Sequence, residues 1–300
     1  MRYRRSVFAA AALWLVAAQS AAEDEYARPD LLLEPSELAK PEVARQFVVL
    51  DVRDQEAYQE EHVPNARRVD HGTWKAAFGD GTDARAWSER IGKLGIGRRS
   101  HVVVYDDASA KDAARIWWIL RYWGVGDVRL LNGGWKAWKA AGLPTSAEQP
   151  EPPREVAFKT APRTKRLVTT GQLLDSLPQG RLQIVDARSH DEFCGIEKKD
   201  NERAGAIPGA KHLEWSDLID SATGRFKSRD ELSRLFRQAK IDPGRPTATH
   251  CQSGGRASVM AFGLELMGAK DVRNYYAGWS EWGNSEKTPV VVPEGKDSSE

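Results

Sequence analysis

Phe47-Val-Val-Leu-Asp51-Val-Arg53 decides the fold, because Leu182-Gln-Ile-Val-Asp186-Ala-Arg188 repeats it later in the chain. Each is a short apolar run, the length of a buried strand, ended by Asp-x-Arg. Each leads into an acidic and aromatic stretch, Glu56-Ala-Tyr58 or Glu192-Phe193. His62-Val-Pro64-Asn-Ala66 then matches Ala206-Ile-Pro208-Gly-Ala210, with an Asp-to-Pro spacing of 13 in the first copy and 22 in the second. The nine extra residues lie around the charged stretch from Glu197 to Arg203. Further on, Leu131-Asn-Gly-Gly134-Trp135-Lys-Ala-Trp138 matches Tyr276-Ala-Gly278-Trp279-Ser-Glu-Trp282. In both copies the preceding helix ends at a glycine, Gly124 or Gly268, ten residues before Gly134 or Gly278. Landmarks in this order at these spacings make the chain a duplication.

Within each copy, strands such as His101-Val-Val-Val-Tyr105 alternate with helical stretches such as Ala113 to Trp123, which predicts an α/β fold with a mainly parallel sheet flanked by helices. Trp117, Trp118 and Trp123 read as core aromatics on the buried side of that helix. The copies are expected at residues 30–145 and 165–289, joined by a linker at 146–164. Gln149-Pro150-Glu151-Pro152-Pro153-Arg154 within the linker reads as a stiff spacer. Residues 290–300 read as a flexible, Pro- and charge-rich tail.

Composition narrows the function. The chain has 300 residues, with Lys plus Arg (44) nearly cancelling Asp plus Glu (43), so no basic excess points to nucleic acid. Two cysteines cannot build a cross-linked secreted scaffold. The one long apolar run, Val7 to Ala18, follows Arg2, Arg4 and Arg5 and precedes Ser20-Ala21-Ala22. That pattern reads as a cleaved signal peptide over residues 1–22, too short to span a bilayer. Its removal takes the formal net charge from +1 to −2 and leaves no membrane segment, with the mature protein expected in the periplasm.

The copies differ where chemistry is concerned. Copy two runs from a strand into His250-Cys251-Gln252-Ser253-Gly254-Gly255-Arg256 and then a helix from Ala257 to about Met267; copy one runs through Tyr105-Asp106-Asp107-Ala108-Ser109. An aspartate at or next to Asp106 thus stands where copy two has Cys251, and Asp106-Asp107 reads as a solvated remnant of the loop. A turn between a strand's end and a helix's start exposes backbone N–H groups without intrahelical partners. Gly254 and Gly255 permit the backbone conformations that let such groups converge. A sulfur there, at the positive end of the helix dipole with Arg256 beside it, is expected to be a reactive thiolate in an anion-binding cradle.

Tandem copies with Asp-x-Arg, the Pro-Gly-Ala turn, the loop beginning at Cys251 and a Gly-x-Trp-x-x-Trp-like ending resemble the rhodanese-type sulfurtransferases over roughly residues 30–289. The resemblance implies two tandem rhodanese-like domains, an inactive first copy and a catalytic second. It implies that Cys251 carries a transient persulfide, cradled by Gln252, Ser253, Gly254, Gly255 and Arg256. Asp186 and Arg188 would be structural or site-supporting. In the family a basic loop accompanies thiosulfate, and a Cys-Gly-Ser/Ala-Gly-Val-Thr loop accompanies 3-mercaptopyruvate; the loop here is neither. Where relatives often carry a substrate arginine, Glu192 and its neighbours stand, and Arg203 is the candidate replacement. Arg256 tilts the expectation towards thiosulfate.

The expected reaction forms a Cys251 persulfide from the donor and passes its outer sulfur to cyanide or a thiol, without metal or organic cofactor. Three other readings stay open. A phosphatase is disfavoured because four residues, not five, separate Cys251 from Arg256. A non-catalytic module delivering persulfide to a periplasmic thiol protein would use the same cradle. A redox switch would pair Cys251 with Cys194, which otherwise reads as an unreactive thiol. His62, His71, His101, His190, His212 and His250 show no close ligand spacing, so no metal site is expected, and His250 reads as packed or hydrogen-bonded.

Overall fold

The computed structural model describes residues 25–293. The expected signal peptide and residues 294–300 of the expected tail lie outside them. Two parallel sheets carry the two copies. The first, in the order β1-β5-β4-β2-β3, is built from Leu32–Leu33 (β1), Phe47–Asp51 (β2), Arg67–Arg68 (β3), His101–Tyr105 (β4) and Asp127–Leu131 (β5). The second, in the order β7-β6-β8-β9, is built from Gln183–Asp186 (β6), Lys211–His212 (β7), Thr247–His250 (β8) and Val272–Tyr275 (β9). The repeated Asp-x-Arg segments end β2 and β6, and both strands pair in register with the strand that leads to the loop, β4 or β8. The second sheet's counterpart of β1 is reduced to one parallel bridge between Leu167 and Asn274.

The repeated motifs build the same clasp twice. Arg53 closes on Asp51 and donates to the Glu61 carbonyl, while Arg188 closes on Asp186 and donates to the Gly205 carbonyl. Each guanidinium lies over the first tryptophan of the Gly-Trp-x-x-Trp ending, 4.1 Å from Trp135 and 4.2 Å from Trp279. The copy without a thiol has the same buried pair, so the Asp186–Arg188 clasp is an element of the repeated fold.

Two helices join the copies. Lys111–Tyr122, after β4, packs against Gly255–Leu266, after β8. Every residue of the second except Arg256 is buried, as expected of a helix covered on all sides. Trp117 meets Phe262 edge-on at 4.9 Å and Trp118 stacks on Tyr276 at 5.3 Å, so the core tryptophans are the seam between the domains. One hydrophobic cluster runs through both copies, with a smaller one on the far side of each sheet. At the seam Glu265 takes Arg166 at 2.6 Å and faces Arg121 at 3.8 Å.

The linker is extended, yet it does not stand free as a spacer. Val156, Ala161 and Arg163 donate to the carbonyls of Gly92, Trp123 and Tyr122, and Phe158 is buried in the shared core. Gly92 and Gly124 permit this approach: a Cβ would lie 2.4 Å from the Val156 oxygen or 2.8 Å from that of Ala161. The segment is a strap across the first domain.

Candidate active site

Cys251 follows the C-terminal end of β8, and the helix dipole of Gly255–Leu266 begins four residues on. Its carbonyl accepts from the Trp279 N–H at 2.7 Å, as the Asp106 carbonyl accepts from Trp135 at 2.8 Å. That shared bond fixes Asp106 as the counterpart of Cys251. It also explains the glycine before each tryptophan: at Gly278 (φ +64°) or Gly134 (φ +54°) a Cβ would sit 2.3 Å from the same carbonyl oxygen.

Asp106 corrects the reading of a solvated remnant. It is 2 % exposed, and its carboxylate accepts the backbone N–H groups of Ala108, Ala110, Asp112 and Ala113 at 2.8–3.1 Å. Burial raises its pKa to about 6 against the pull of those donors. Only Asp107 of the pair faces out. Copy one therefore folds its loop around an anion of its own.

In copy two the loop's carbonyls are all tied down from outside. Trp279 and Ser280 donate to Cys251 and Gln252, Arg115 to Ser253 at 2.7 Å, and Ser258 and Asn274 to Gly254. The backbone N–H groups of Gln252 to Arg256 have no acceptor among the described residues. With the carbonyls drawn outward, these donors are left for the inside of the turn, where copy one holds its carboxylate. Gly254 (φ +83°) and Gly255 serve close approach as well as conformation: a Cβ would meet the Tyr276 ring at 2.5 Å or Arg115 Nη2 at 2.4 Å.

Cys251 is 2 % exposed and sits in the wall of a cavity of ≈ 320 Å³. Gln252, Ser253, Gly255 and Arg256 share one side with it; His71, Lys75, Lys111, Asp112 and Arg115 of the first domain form the rest. A larger groove of ≈ 650 Å³, beside β2, holds neither thiol nor histidine.

Three candidates from the sequence sit otherwise than expected. Arg256 is at the loop's edge, but its fork is closed on Glu192, Nη1 to Oε2 at 2.5 Å and Nη2 to Oε1 at 2.9 Å. Burial opposes its charge, and Glu192 and Cys251 together raise its pKa nonetheless. Arg203 does not line the Cys251 cavity: it donates to the carbonyls of Trp282, Gly283, Ser285 and Thr288 and fastens that segment. Gln252 has its amide paired with that of Asn201 at 2.9 and 3.2 Å, leaving its backbone N–H to the turn.

His250 is packed, as its place on a strand suggested. Burial pushes its pKa down to about 4, and neither ring nitrogen has a hydrogen-bond partner, the nearest carboxylate oxygen being Asp186 Oδ2 at 3.4 Å. In copy one Tyr105 fills this position and donates to Asp51. Cys194 lies 3.5 Å from His190 Nε2, and burial pushes its thiol up; both cysteines are free thiols. Among the described residues no group of three or more His, Cys, Asp or Glu is arranged to hold a metal ion, and no helix is long and apolar enough to cross a membrane.

Sequence reasoning missed Arg115, Tyr276, Asn201 and Glu192 as neighbours of the loop. One signal for Arg115 was readable: a lone cation in the apolar run from Ala113 to Trp118 needs a buried partner.

Comparison with known proteins agrees with this architecture. The family model described as "Rhodanese-like domain" matches residues 34–141 and 169–285. A thiosulfate sulfurtransferase of Corynebacterium glutamicum is 35% identical over 291 residues, covering 90% of this chain and 93% of its own. The human 3-mercaptopyruvate sulfurtransferase is 32% identical over 248 residues, covering 80% and 82%. Among solved structures, EanB bound to ergothioneine superposes with a TM-score of 0.79 at 24% identity, over 89% of this chain and 71% of that one. YnjE gives 0.77 at 24% identity, over 90% and 70%. These structural likenesses speak to the fold.

Proposed function

The chain belongs to the rhodanese-like family of sulfurtransferases, and from that premise we propose that Cys251 takes the outer sulfur of thiosulfate as a persulfide and passes it to cyanide or a thiol. The observation that carries this reading is the contrast between the loops: the same fold closes four N–H donors on the Asp106 carboxylate in one copy and presents unpartnered N–H donors around Cys251 in the other.

In the first step the Cys251 thiolate attacks the outer sulfur; the S–S bond of thiosulfate breaks and sulfite leaves with its electron pair. The product is Cys251–S–S⁻, whose outer sulfur replaces the carboxylate of copy one as the anion within the turn. In the second step cyanide or a thiolate attacks that outer sulfur, and Cys251 departs as thiolate. Arg256, held against Cys251 by Glu192, contributes charge more than hydrogen bonds. The relatives named above include enzymes of both thiosulfate and 3-mercaptopyruvate; the cation-rich cavity supports thiosulfate, the more highly charged donor. Residues 1–22 support export and work in the periplasm, where a thiol protein would be the acceptor.

Weighing the intact chain after incubation with each donor tests the reading. Thiosulfate should add the mass of one sulfur atom, cyanide should remove it, and Cys251→Ser should gain none. A wild-type chain that gains no sulfur, or a Cys251→Ser chain that does, overturns it.

A further inference from the structure

The turn around Cys251 accounts for one end of the donor. The other end, the leaving sulfite or the carboxylate of 3-mercaptopyruvate, is also anionic, and it must extend into the cavity away from the loop. The cavity's remaining lining comes from the first domain. Four permanent cations line it, Lys75, Lys111, Arg115 and Arg256, against one carboxylate, Asp112.

Two of the four are already committed. Arg256 is clamped by Glu192, and Arg115 Nη1 serves both the Ser253 carbonyl at 2.7 Å and the Tyr276 hydroxyl at 2.9 Å. Lys111 has only a loose carboxylate neighbour, Asp112 at 3.8 Å, which His71 approaches more closely at 3.2 Å. Lys75 has no ion-pair partner among the described residues. Both ammonium groups ride on flexible stems, suited to oxygens whose positions differ between donors.

We propose that Lys75 and Lys111 of the first domain bind the charged end of the sulfur donor, so that the copy without a nucleophile selects the substrate. This rests on the reading of Cys251 as the sulfur-accepting nucleophile. It assigns a binding function to a domain that carries no cysteine of its own. The ammonium groups bind and orient; they take no part in bond making.

The half-reactions of a ping-pong enzyme separate this role from a structural one. In Lys75→Met/Lys111→Met, kcat/KM for thiosulfate should fall at least tenfold while kcat/KM for the acceptor stays within twofold of wild type. Most of the loss should lie in KM, and raising the salt concentration should narrow the gap between wild type and variant. Lys75→Arg and Lys111→Arg should recover most of the loss, and Lys75→Glu should exceed Lys75→Met. If the wild type gains sulfur from thiosulfate and the double variant gains it at the same donor concentrations, this proposal alone fails. If the wild type gains sulfur from neither thiosulfate nor 3-mercaptopyruvate, the reading of Cys251 fails and takes this one with it.

Discussion

Arg115 of the first domain donates to the carbonyl of Ser253 in the second, at 2.7 Å across the seam. Arg115 is 5 % exposed, and its guanidinium fills the space that a side chain at Gly255 would need. A residue of the copy without a thiol thereby holds the backbone of the Cys251 loop in shape.

Removing that strut should therefore act on the loop. Arg115→Met leaves the Ser253 carbonyl without its partner, a loss of about 2 kcal/mol for a bond to a charged donor. We expect kcat/KM for the donor to fall by one to two orders of magnitude. Arg115→Lys should restore little, since one ammonium cannot reproduce the planar fork. Half-reaction kinetics beside a denaturant titration check this; an Arg115→Met enzyme with wild-type donor kinetics refutes it.

Arg256 is expected to behave as half of an ion pair. Glu192 is buried and would keep only Ser189 and the Lys199 ammonium at 3.9 Å, so Arg256→Ala should destabilise the protein by roughly 3 kcal/mol. The double variant Glu192→Gln/Arg256→Met should regain much of that stability without regaining activity. Midpoints of urea unfolding for the three variants decide it.

The buried titrating groups make opposed contributions to acid stability. His250 has its pKa lowered to about 4, from 6.5, by burial, so it contributes stability that is complete above pH 6.5 and is lost as pH falls towards 4. At 1.36 kcal/mol per pKa unit this amounts to about 3 kcal/mol. Asp106, its pKa raised to about 6, acts in the reverse sense, its contribution falling as pH rises from about 4 to 6. Wild-type stability should change little across this window on their account. His250→Tyr copies the Tyr105 arrangement and removes one of the two, so the stability of wild type relative to the variant should drop by about 3 kcal/mol between pH 7 and pH 4. Paired denaturant titrations at the two pH values measure it.

Asp106→Ala strips four N–H donors of their acceptor. The expected loss is roughly 3 kcal/mol, appearing as a lower unfolding midpoint. A neutral outcome would mean that the turn of copy one holds its shape without an anion.

What the sequence made legible were features written locally. Asp-x-Arg and Gly-Trp recur because each forms half of a clasp closed within its own copy, and the duplication follows from their spacing. Cys251 and its glycines could be read as a loop because a strand-to-helix turn leaves the first N–H groups of its helix without intrahelical partners. What escaped were partners supplied from afar. Ser253 lies 138 residues from Arg115 and Arg256 lies 64 from Glu192, and nothing in either neighbourhood names the other. Arg203 misled because a cation in an insertion beside a site reads as a ligand for substrate, while a run of backbone carbonyls is invisible in a sequence. Asp106 misled because a pair of adjacent acids reads as solvated, and only the curl of the chain shows that one of them is its own ligand.

The Gly255–Leu266 helix reaches solvent at Arg256 alone, with the other copy's helix laid against it and one apolar core running through both. Each copy therefore buries its core against the other. Heat should melt them in one cooperative step, with calorimetric and van't Hoff enthalpies in agreement. A chain severed at the strap should yield halves that do not fold alone, each having lost the apolar partner that its central helix needs to leave water.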